Sequence, residues 1–418
     1  MTSELFVWLW LPEATEAVVC GRLFVEGERL SFIYGRSYRA RAEAIPLMPE
    51  RMPLAGGPFS ARRDGQLPGP IADAAPDAWG RHVIEYRHQA GGFAELDYLR
   101  LSHGDRIGAL HFQSSAKRYI PSVLAPATLA DLLSAADALE REQPLPPELA
   151  NALEHGSSIG GARPKATLRD GRRALIAKFA SATDRWAIVR AEWACLRLAR
   201  RCGIPTPDAW VDTVLGKDVL LVERFDRRVA GDAAADDHDR QPVPADTLRY
   251  QMLSALTLLD LDDTEASLAS YPELAELLRR LAQDGVGDAR QLFRRMVFNL
   301  LIGNTDDHAK NHAAFWDGRW LRLTPAYDLV PALRLGQEAR QAMAVGREGR
   351  ASTLANALSE AGRFGLLLAE AEAIVDEVET TLAQHWKTEF ADCGVPQTQI
   401  TQLDGRAVLS PVARQRRL

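Results

Sequence analysis

Two aspartates and an asparagine in the last third of the chain have the types and the spacing that phosphoryl transfer needs. Asp306 and Asn311 stand five positions apart, and Asp328 follows in the short segment Pro-Ala-Tyr-Asp. One carboxylate can accept a hydroxyl proton, while an amide oxygen and a second carboxylate can hold Mg²⁺ against the phosphates of ATP. The spacing therefore indicates a site for phosphate transfer from ATP.

The polar run 304–312 follows a segment with apolar residues at helical spacing. That periodicity predicts a helix over 288–302 that stops at Gly303, so the run lies on a loop next to a buried helix. Lys310 is close enough in sequence to Asp306 to contact the transferring phosphoryl group. The same residue types also suit an ordinary polar loop in which Asp306 forms an Asx-turn, and this alternative stays open.

Two histidines in the run raise a different chemistry. His308 and His312 stand four positions apart, as two metal ligands on one helix face would. Zinc hydrolases of this type have a glutamate directly after the first histidine and need a third protein ligand, whereas Ala309 follows His308 here. The sequence therefore favours phosphoryl transfer over zinc hydrolysis.

A glycine pair lies in the segment 157–165, which reads Ser-Ser-Ile-Gly-Gly-Ala-Arg-Pro-Lys. Gly160 and Gly161 would let backbone N–H groups approach phosphates, and Arg163 and Lys165 add positive charge. The segment is neither G-x-G-x-x-G nor a Walker A loop, because no glycine directly precedes Lys165 at the required spacing. A phosphate-binding loop and a plain hairpin turn both fit this pattern.

Lys178 and Glu192 are polar residues on otherwise apolar faces. Lys178 lies in a predicted strand, 174–179, that forms a hairpin with 166–168, and Glu192 lies on the apolar stripe of a helix predicted over 185–201. An unpaired carboxylate on such a stripe is costly, so each residue would explain the other if they pair. A lysine held in this way binds the α- and β-phosphates in kinases. A lysine that reaches solvent and a helix-edge glutamate are the alternative.

Glu223 and Phe225 follow the predicted buried strand 219–222. A kinase has its interlobe hinge at this point of the chain, where the backbone and side chains face adenine. A simple strand end explains both residues equally well. Each of these signals is weak alone, but together they occur in the order that a kinase requires along its chain. That order is a glycine-rich turn, a lysine, a glutamate, a strand, Asp-x4-Asn and a final Asp.

The composition is that of a soluble globular protein. The chain has 418 residues and a net charge of −6, which argues for two or three domains and against a surface dedicated to nucleic acid or membrane. Its four cysteines show no C-x-x-C pair, so neither a zinc cage nor a disulfide framework is expected. The chain shows no leader-like N-terminus and no run of about 18 apolar residues, and we expect a cytoplasmic protein.

The coarse element order is β-rich, then mixed, then helical. Short apolar runs predict N-terminal strands at 6–10, 17–19 and 30–34. The segment Pro76-Asp77-Ala78-Trp79-Gly80 follows a Pro/Gly-rich connection and precedes a helix predicted from Arg81 to Gln89. The Ala/Asp/Pro-rich stretch 229–246 is predicted to be a loop. Leucine-rich segments predict further helices near 247–261, 272–283, 288–302 and 355–386.

At these residues the chain resembles the HipA family of bacterial serine/threonine kinases, the toxins of type II toxin–antitoxin systems. The matching text lies at 158–165, 223–227, 301–311 and 323–328. The resemblance implies an α+β fold with a protein-kinase-like bilobal core. Its implied parts are a β-rich N-terminal subdomain at 1–110, a kinase N-lobe at 111–227 and a mainly helical C-lobe at 228–418.

The resemblance also implies roles for single residues. Asp306 would be the catalytic base with Lys310 as a second catalytic residue, and Asn311 and Asp328 would be the Mg²⁺ ligands. The residues implied in binding ATP are Ser158, Gly160, Gly161, Lys165, Lys178, Glu192, Glu223, Phe225 and His308. Ser158 would be autophosphorylated, with Ser157 as a second candidate. The added negative charge would repel ATP and eject the loop.

The implied partners are a protein substrate and a small helix-turn-helix antitoxin similar to HipB, so contact with DNA is expected only through the antitoxin, and none with a membrane. The implied substrate is a translation protein such as an aminoacyl-tRNA synthetase, with growth arrest and persistence as the outcome. Asp307 departs from the family, whose best-known loop has glycine there. Two other functions stay open: a catalytically silent kinase-like subunit of an antitoxin–DNA complex, and a small-molecule kinase.

Overall fold

The computed structural model describes residues 3–123, 125–159, 161–181, 184, 186–230, 247–333 and 338–417. The chain forms two compact units. The first unit comprises Met1–Thr183, Asp212–Met252 and Trp316–Arg319. The second comprises Asp184–Val211, Leu253–Phe315 and Trp320–Leu418. The bounds predicted for three domains are not tested by this division and stay predictions.

The N-terminal sheet of the first unit is antiparallel and has the strand order β4-β3-β2-β1-β5. Its strands are β1 Glu4–Trp10, β2 Ala17–Glu26, β3 Arg29–Tyr34, β4 Phe59–Ser60 and β5 Leu110–Gln113. Leu5, Val7 and Leu9 alternate along β1 and are fully buried, which fixes the register of the sheet. The three strands predicted at 6–10, 17–19 and 30–34 are confirmed.

A second sheet, with the strand order β6-β7-β9-β8, follows in the chain. Its strands are β6 Lys165–Asp170, β7 Arg173–Phe179, β8 Ala209–Val214 and β9 Lys217–Glu223. The predicted hairpin is confirmed as β6 and β7, joined by a tight turn at which Gly171 has φ 54°. Two short strands, β10 Arg227–Val229 and β11 Thr247–Arg249, pair with each other. From residue 231 to 246 the predicted loop lies outside the described residues.

The helices of the first unit are short. They are α1 Arg36–Arg39, α2 Gly69–Ala72, α3 Ala78–His88, α4 Glu95–Leu101, α5 Leu129–Glu140 and α6 Pro147–Ala152, with a 3₁₀ helix at Leu153–Gly156. Helix α3 starts at Ala78, three positions before the predicted Arg81. The glycine-rich segment therefore begins directly after the 3₁₀ helix and ends in β6.

The second unit is mainly helical. Its helices are α7 Ile188–Arg201, α8 Ala255–Leu258, α9 Tyr271–Leu281, α10 Gly285–Ile302, α11 Leu354–Leu358, α12 Leu368–Asp392 and α13 Gln397–Leu403, with 3₁₀ helices at Asp263–Leu268, Ala309–Asn311 and Ala361–Phe364. A three-stranded sheet has the order β12 Gln251–Ser254, β13 Ala313–Trp316 and β14 Leu321–Leu323. Leu292, Met296 and Leu300 of α10 are fully buried, as its periodicity predicted.

Two helix predictions were wrong. Residues 247–261 form β11, β12 and only the four-residue α8, because Thr247 and its neighbours pair with β10 and tertiary pairing outweighs leucine spacing. The segment 355–386 is not one helix, because the chain makes a left-handed turn at Gly365 (φ 73°) before α12 starts at Leu368. No helix within the described ranges is long and apolar enough to cross a bilayer.

Candidate active site

Helix α10 positions the polar run at its C-terminal end. Gly303 has φ 74°, the left-handed conformation that ends the helix. A Cβ at Gly303 would lie only 2.7 Å from the carbonyl oxygen of Ala407, so the close approach of the C-terminal segment also requires glycine. Leu409 N donates to Leu301 O over 2.7 Å. The loop therefore starts from a fixed and buried point.

The loop from Asp306 to Asn311 is closed by its own hydrogen bonds. His308 N and Asn311 Nδ2 donate to Asp306 O over 2.9 and 3.2 Å, and Asn311 N donates to His308 O over 2.8 Å. The Asp306 side chain is exposed, whereas Asn311 is only 8% exposed. Because the Asn311 amide donates through Nδ2, its Oδ1 is the atom that could ligate a cation.

Asp307 connects this loop to α10 and to the start of β13. Its Oδ2 accepts a hydrogen bond from Asn299 Nδ2 over 2.7 Å, and its Oδ1 lies 3.0 Å from His312 Nε2. His312 Nε2 is also 3.2 Å from the Tyr271 hydroxyl. Asp307 is 1% exposed, and a carboxylate buried this deeply requires such partners. The departure from the glycine of the family loop thus has a structural role in this chain.

The segment that carries Asp328 is bonded to the same loop. Asn304 Nδ2 donates to Asp328 O over 3.5 Å, and the Tyr327 hydroxyl donates to Lys310 O over 2.8 Å. Asp328 itself has φ 59°, a left-handed conformation that aspartate and asparagine adopt more readily than other residues with a Cβ. The structure therefore brings the backbone of Asp328 next to the loop of Asp306 and Asn311.

Lys310 is placed at the exposed side of the loop. Its Nζ lies 2.8 Å from Asp263 Oδ1, and the two side chains are 35% and 73% exposed. Ion pairs this exposed contribute little to stability, so a group with more negative charge, such as a phosphate, can replace Asp263 as the partner of Lys310. The predicted contact of Lys310 with a phosphoryl group stays a prediction.

The two histidines do not form the metal pair considered above. His308 and His312 are the N-cap and the C-cap of a three-residue 3₁₀ helix, so they do not share an α-helix face. His312 Nε2 is bonded to Asp307. Within the part of the chain that the structure describes, no three or more His, Cys, Asp and Glu side chains form a metal-binding group. The zinc-hydrolase alternative therefore has no support.

In the first unit, the glycine-rich loop is held by its two serines. Ser157 is fully buried, and its Oγ accepts from His103 N over 3.0 Å and donates to Glu154 O over 2.8 Å. Ser158 is 3% exposed, and its Oγ donates to Asp105 O over 3.2 Å. Gly160 lies outside the described residues. Gly161 has φ 104°, a conformation that favours glycine.

Lys165 and Lys178 are cross-strand partners in the β6–β7 pair, so their side chains project from the same face of the sheet. Both side chains are half-buried. A Cβ at Gly161 would collide with the Lys165 ammonium, which shows how close this lysine lies to the loop backbone. Two lysines therefore lie on one face of the sheet, and Lys165 lies next to the glycine-rich loop.

A buried charge cluster joins the segment after α4 to the end of β9. Arg224 donates to Asp105 O over 3.1 Å and pairs with Asp226 over 2.8 Å, and Gly108 N donates to Asp226 Oδ2 over 2.8 Å. Burial would raise the pKa of Asp105, but Arg227 and Arg224 hold that pKa well below its ordinary value. Burial would likewise raise the pKa of Asp226, but Arg224 and Arg227 hold it well below its ordinary value, so both aspartates are charged. The Ser158 hydroxyl donates a hydrogen bond to the backbone carbonyl of Asp105 in this cluster.

The remaining candidate residues are Glu192, Glu223 and Phe225. Glu192 is 7% exposed on α7, in a helix that starts at Ile188 rather than at residue 185. Glu223 ends β9, and both it and Phe225 are half-buried. Lys178 belongs to the first unit and Glu192 to the second, and their pairing stays a prediction, as does the adenine contact.

Two family models match the chain. The model of the HipA-like C-terminal domain matches residues 157–386, and that of the HipA N-terminal domain matches residues 14–113. The chain belongs to the HipA family. The C-terminal match contains both the glycine-rich loop and the run from Asp306 to Asp328, and the N-terminal match covers most of the first sheet.

Relatives and a solved structure agree with this assignment. The chain is 26% identical over 328 residues to Y4mE of Sinorhizobium fredii, a protein provisionally named a kinase. The matched residues make up 72% of this chain and 72% of that protein. A second provisionally named kinase, from Haemophilus influenzae, is 23% identical over 149 residues, 33% of this chain and 40% of that protein. The structure of HipA, HipB and operator DNA from Shewanella oneidensis MR-1 matches with a TM-score of 0.68 and 19% identity over 96% of each chain. The predicted α+β HipA-like fold is confirmed.

Sequence reasoning missed the residues that support the loop. They are Tyr271, Asn299, Asn304, Asp307 and His312 as a hydrogen-bonded group. One signal was present, because Asn299 is a polar residue within the apolar stripe of α10, which requires a buried partner. The same argument had been applied to Glu192 on α7.

Proposed function

We propose that this chain is an ATP-dependent serine/threonine protein kinase and the toxin of a type II toxin–antitoxin system. The observation that carries the proposal is the bonding of the Asp306–Asn311 loop to the Asp328 segment, through Asn304 and through Tyr327. It keeps an exposed carboxylate, an amide and a second carboxylate on adjoining segments. These are the groups that phosphoryl transfer to a hydroxyl requires.

Asp306 is the proposed base. Its side chain is exposed, while its carbonyl is fixed by hydrogen bonds from His308 and Asn311. It would accept the proton of a serine or threonine hydroxyl as the hydroxyl oxygen bonds to the γ-phosphorus and the bond to ADP breaks. Lys310 would leave its exposed pair with Asp263 and offset charge on the transferring phosphoryl group.

Asn311 Oδ1 and the Asp328 carboxylate fit a magnesium ion. Both are hard oxygen donors of the kind that Mg²⁺ prefers in phosphate-transfer sites. Asn311 and Asp328 would hold the ion, and the chemistry it would supply there is to offset the negative charge of the ATP phosphates. The hydrogen bond from Asn311 Nδ2 to Asp306 O fixes the amide plane and so orients its oxygen.

The first unit carries most of the proposed nucleotide contacts. Lys165 and Lys178, cross-strand partners on one face of the sheet, would bind the α- and β-phosphates, and Glu192 of the second unit would orient Lys178. We also place Glu223, the last residue of β9, and Phe225, two positions later, against adenine, because a kinase hinge lies at this point of the chain. The loop residues Ser158, Gly160 and Gly161 and the loop residue His308 complete the proposed ATP-binding set.

Ser158 is the proposed site of autophosphorylation. Its hydroxyl makes one hydrogen bond, to Asp105 O, whereas the hydroxyl of Ser157 makes two and is fully buried. Phosphorylation adds about −2 charge, which would repel ATP phosphates and break the contact with Asp105. The modified loop would leave its present position, and the kinase would inactivate itself.

The proposed partners follow from the family. HipA of Shewanella oneidensis MR-1 was solved with HipB and operator DNA, and we propose a HipB-like antitoxin and indirect DNA contact for this chain as well. We further propose a cytoplasmic protein whose substrate is a translation protein, such as an aminoacyl-tRNA synthetase. Phosphorylation of that substrate would arrest growth.

The test is phosphate transfer from Mg-ATP to protein, measured by intact mass and by phosphoproteomics of expressing cells. Asp306→Asn preserves side-chain size and the backbone bonds but removes the base, and we expect a loss of at least about 100-fold in rate. Asp392→Asn changes an exposed aspartate at the end of α12 and serves as the matched control. Transfer that persists in excess chelator would contradict the proposal.

The same experiment separates the two other functions. Nucleotide binding without labelled protein, in either the substrate or the chain itself, would indicate a silent binding subunit of an antitoxin–DNA complex. Label on a small molecule from a cell extract, with no labelled polypeptide, would indicate a small-molecule kinase.

A further inference from the structure

The segment Pro76–Arg81 contains an aspartate that does not cap its own helix. Asp77 is the N-cap of α3, but its side chain accepts no hydrogen bond from the first turn. Aspartate at this position ordinarily bonds to the second or third amide of its helix. Here Asp77 Oδ2 instead accepts from Gly161 N over 2.9 Å, 84 positions away in the glycine-rich loop.

Trp79 makes two further bonds to the same loop. Its backbone N donates to Gly161 O over 3.2 Å, and its indole Nε1 donates to Lys165 O over 2.9 Å. Trp79 itself is 5% exposed, and its indole bond is partly buried. Both backbone groups of Gly161 are thus bonded to the start of α3, together with the carbonyl of Lys165.

Two glycines allow the segment and the loop to come this close. A Cβ at Gly80 would lie 2.9 Å from Ser157 O, and a Cβ at Gly156 would lie 2.8 Å from Trp79 Nε1. Arg81 fixes the start of α3 by donating to Pro76 O over 3.0 Å. The segment Pro76–Arg81 therefore lies against both ends of the loop, at Ser157 and at Lys165.

We infer that Pro76–Arg81 is the positioning element of the glycine-rich loop, and that it sets the loop for nucleotide binding. The inference rests on the proposed function for the identity of the ligand. The Gly161 N–H is bonded to Asp77, so Gly161 contributes to the proposed ATP site by holding the conformation of the loop. Lys165, whose carbonyl receives the Trp79 indole, is placed by the same contact. The N-terminal HipA domain thereby contributes to a site that the C-terminal domain carries.

The test uses Asp77→Ala and Trp79→Phe in the full-length chain. We expect the Kd of a non-hydrolysable ATP analogue with Mg²⁺ to rise about tenfold in each variant, since each removes a partly buried hydrogen bond that orders the loop. Hydrogen exchange of the nucleotide-free protein should accelerate in peptides that span 156–166. The rest of the first unit should exchange as in the wild type.

Two controls separate positioning from general damage. Asp77→Asn keeps an oxygen acceptor and should bind the analogue within about threefold of wild type. Trp8→Phe removes a similar indole bond, to Ser115 O over 3.1 Å, from a tryptophan that is 6% exposed, and should change neither measurement.

The outcomes distinguish this inference from the proposed function. Unchanged analogue binding and unchanged loop exchange in both variants would overturn the inference, as would acceleration spread evenly over the whole first unit. A wild-type chain that binds the analogue and responds to Asp77→Ala, yet transfers no phosphate, supports the inference and removes the proposed function. A wild-type chain that binds no nucleotide overturns both.

Discussion

Lys165 and Lys178 lie directly opposite each other in the antiparallel pair β6–β7. The proposed ATP phosphates would gain charge-assisted contacts from both side chains. Under the proposed function, we therefore expect each lysine to contribute to nucleotide binding.

Lys165→Met and Lys178→Met should weaken nucleotide binding without destabilising the fold. We expect the Kd of Mg-ATP to rise by about tenfold or more in each variant, because a charge-assisted contact to phosphate is lost. The free energy of unfolding should stay within about 0.5 kcal/mol of wild type, since both side chains are only half-buried. Isothermal titration and urea unfolding measure the two quantities.

The matched control for the lysines is Lys217→Met. Lys217 lies on β9 of the same sheet and pairs with Asp137 over 2.5 Å, and its loss should leave the Kd unchanged. If Lys217→Met weakens nucleotide binding as much as Lys178→Met does, the proposed phosphate site is in the wrong place.

Asp307→Ala should cost both stability and phosphate transfer. It leaves Asn299 Nδ2 and His312 Nε2 without their acceptor in a buried site, and we expect a loss of about 2–4 kcal/mol in the free energy of unfolding. Asp263→Ala, at a side chain that is 73% exposed, should stay within about 0.5 kcal/mol. Urea unfolding of the two variants measures the difference, and equal stabilities would contradict the structural role of Asp307.

Ser157→Ala should mainly lower stability, whereas Ser158→Ala should mainly prevent autophosphorylation. Ser157→Ala leaves the buried His103 N–H without an acceptor, which costs about 1–3 kcal/mol, but should leave autophosphorylation of the folded protein intact. Ser158→Ala should abolish the added phosphate at little cost in stability. Intact mass after incubation with Mg-ATP reads the phosphate, and a phosphate that survives Ser158→Ala but not Ser157→Ala would reverse the assignment.

Stability should fall in mild acid because of His103. Burial lowers the pKa of His103 to about 4, although Asp105 and Glu154 raise it and His155 and Arg106 lower it further. The unfolded state then binds a proton that the folded state does not between about pH 6.5 and 4, so the free energy of unfolding decreases as the pH falls through this window. Burial likewise holds the pKa of His111 well below its ordinary value, which adds to the same trend.

Urea unfolding at pH 7.5, 6 and 5 measures the effect. His103→Gln removes the titrating group. The free energy of unfolding should then fall by roughly 1–3 kcal/mol less than in the wild type between pH 7.5 and 5. A profile with the same slope in wild type and His103→Gln would show that other groups cause the acid sensitivity.

The parts of the site that depend on local spacing could be predicted from the sequence. Gly303 ends α10 in a left-handed conformation as expected, and the β6–β7 hairpin places Lys178 on a half-buried face. Asp306 and Asn311 lie within one short loop, so their proximity follows from the sequence. Periodicity and turn residues were sufficient for these elements.

The contacts between distant segments could not be predicted. In the sequence, Asp77 only precedes a helix predicted from Arg81, and none of its neighbouring residues indicates a partner 84 positions later. Asp307 looked like a loop residue, since its partners Asn299 and His312 converge only when α10 and β13 are packed. Thr247 and its neighbours form a strand because they pair with β10, and the spacing of leucines in the sequence gives no information about this pairing.

The left-handed backbone at Asp328 limits how this position can evolve. A φ of 59° is tolerated by glycine, asparagine and aspartate, and strains most other residues. Of these three, only aspartate adds a negative charge for a divalent cation. Under the proposed function, asparagine or glycine at position 328 would keep this backbone conformation but remove the charged Mg²⁺ ligand, so inactive paralogues should carry asparagine or glycine here and retain the architecture.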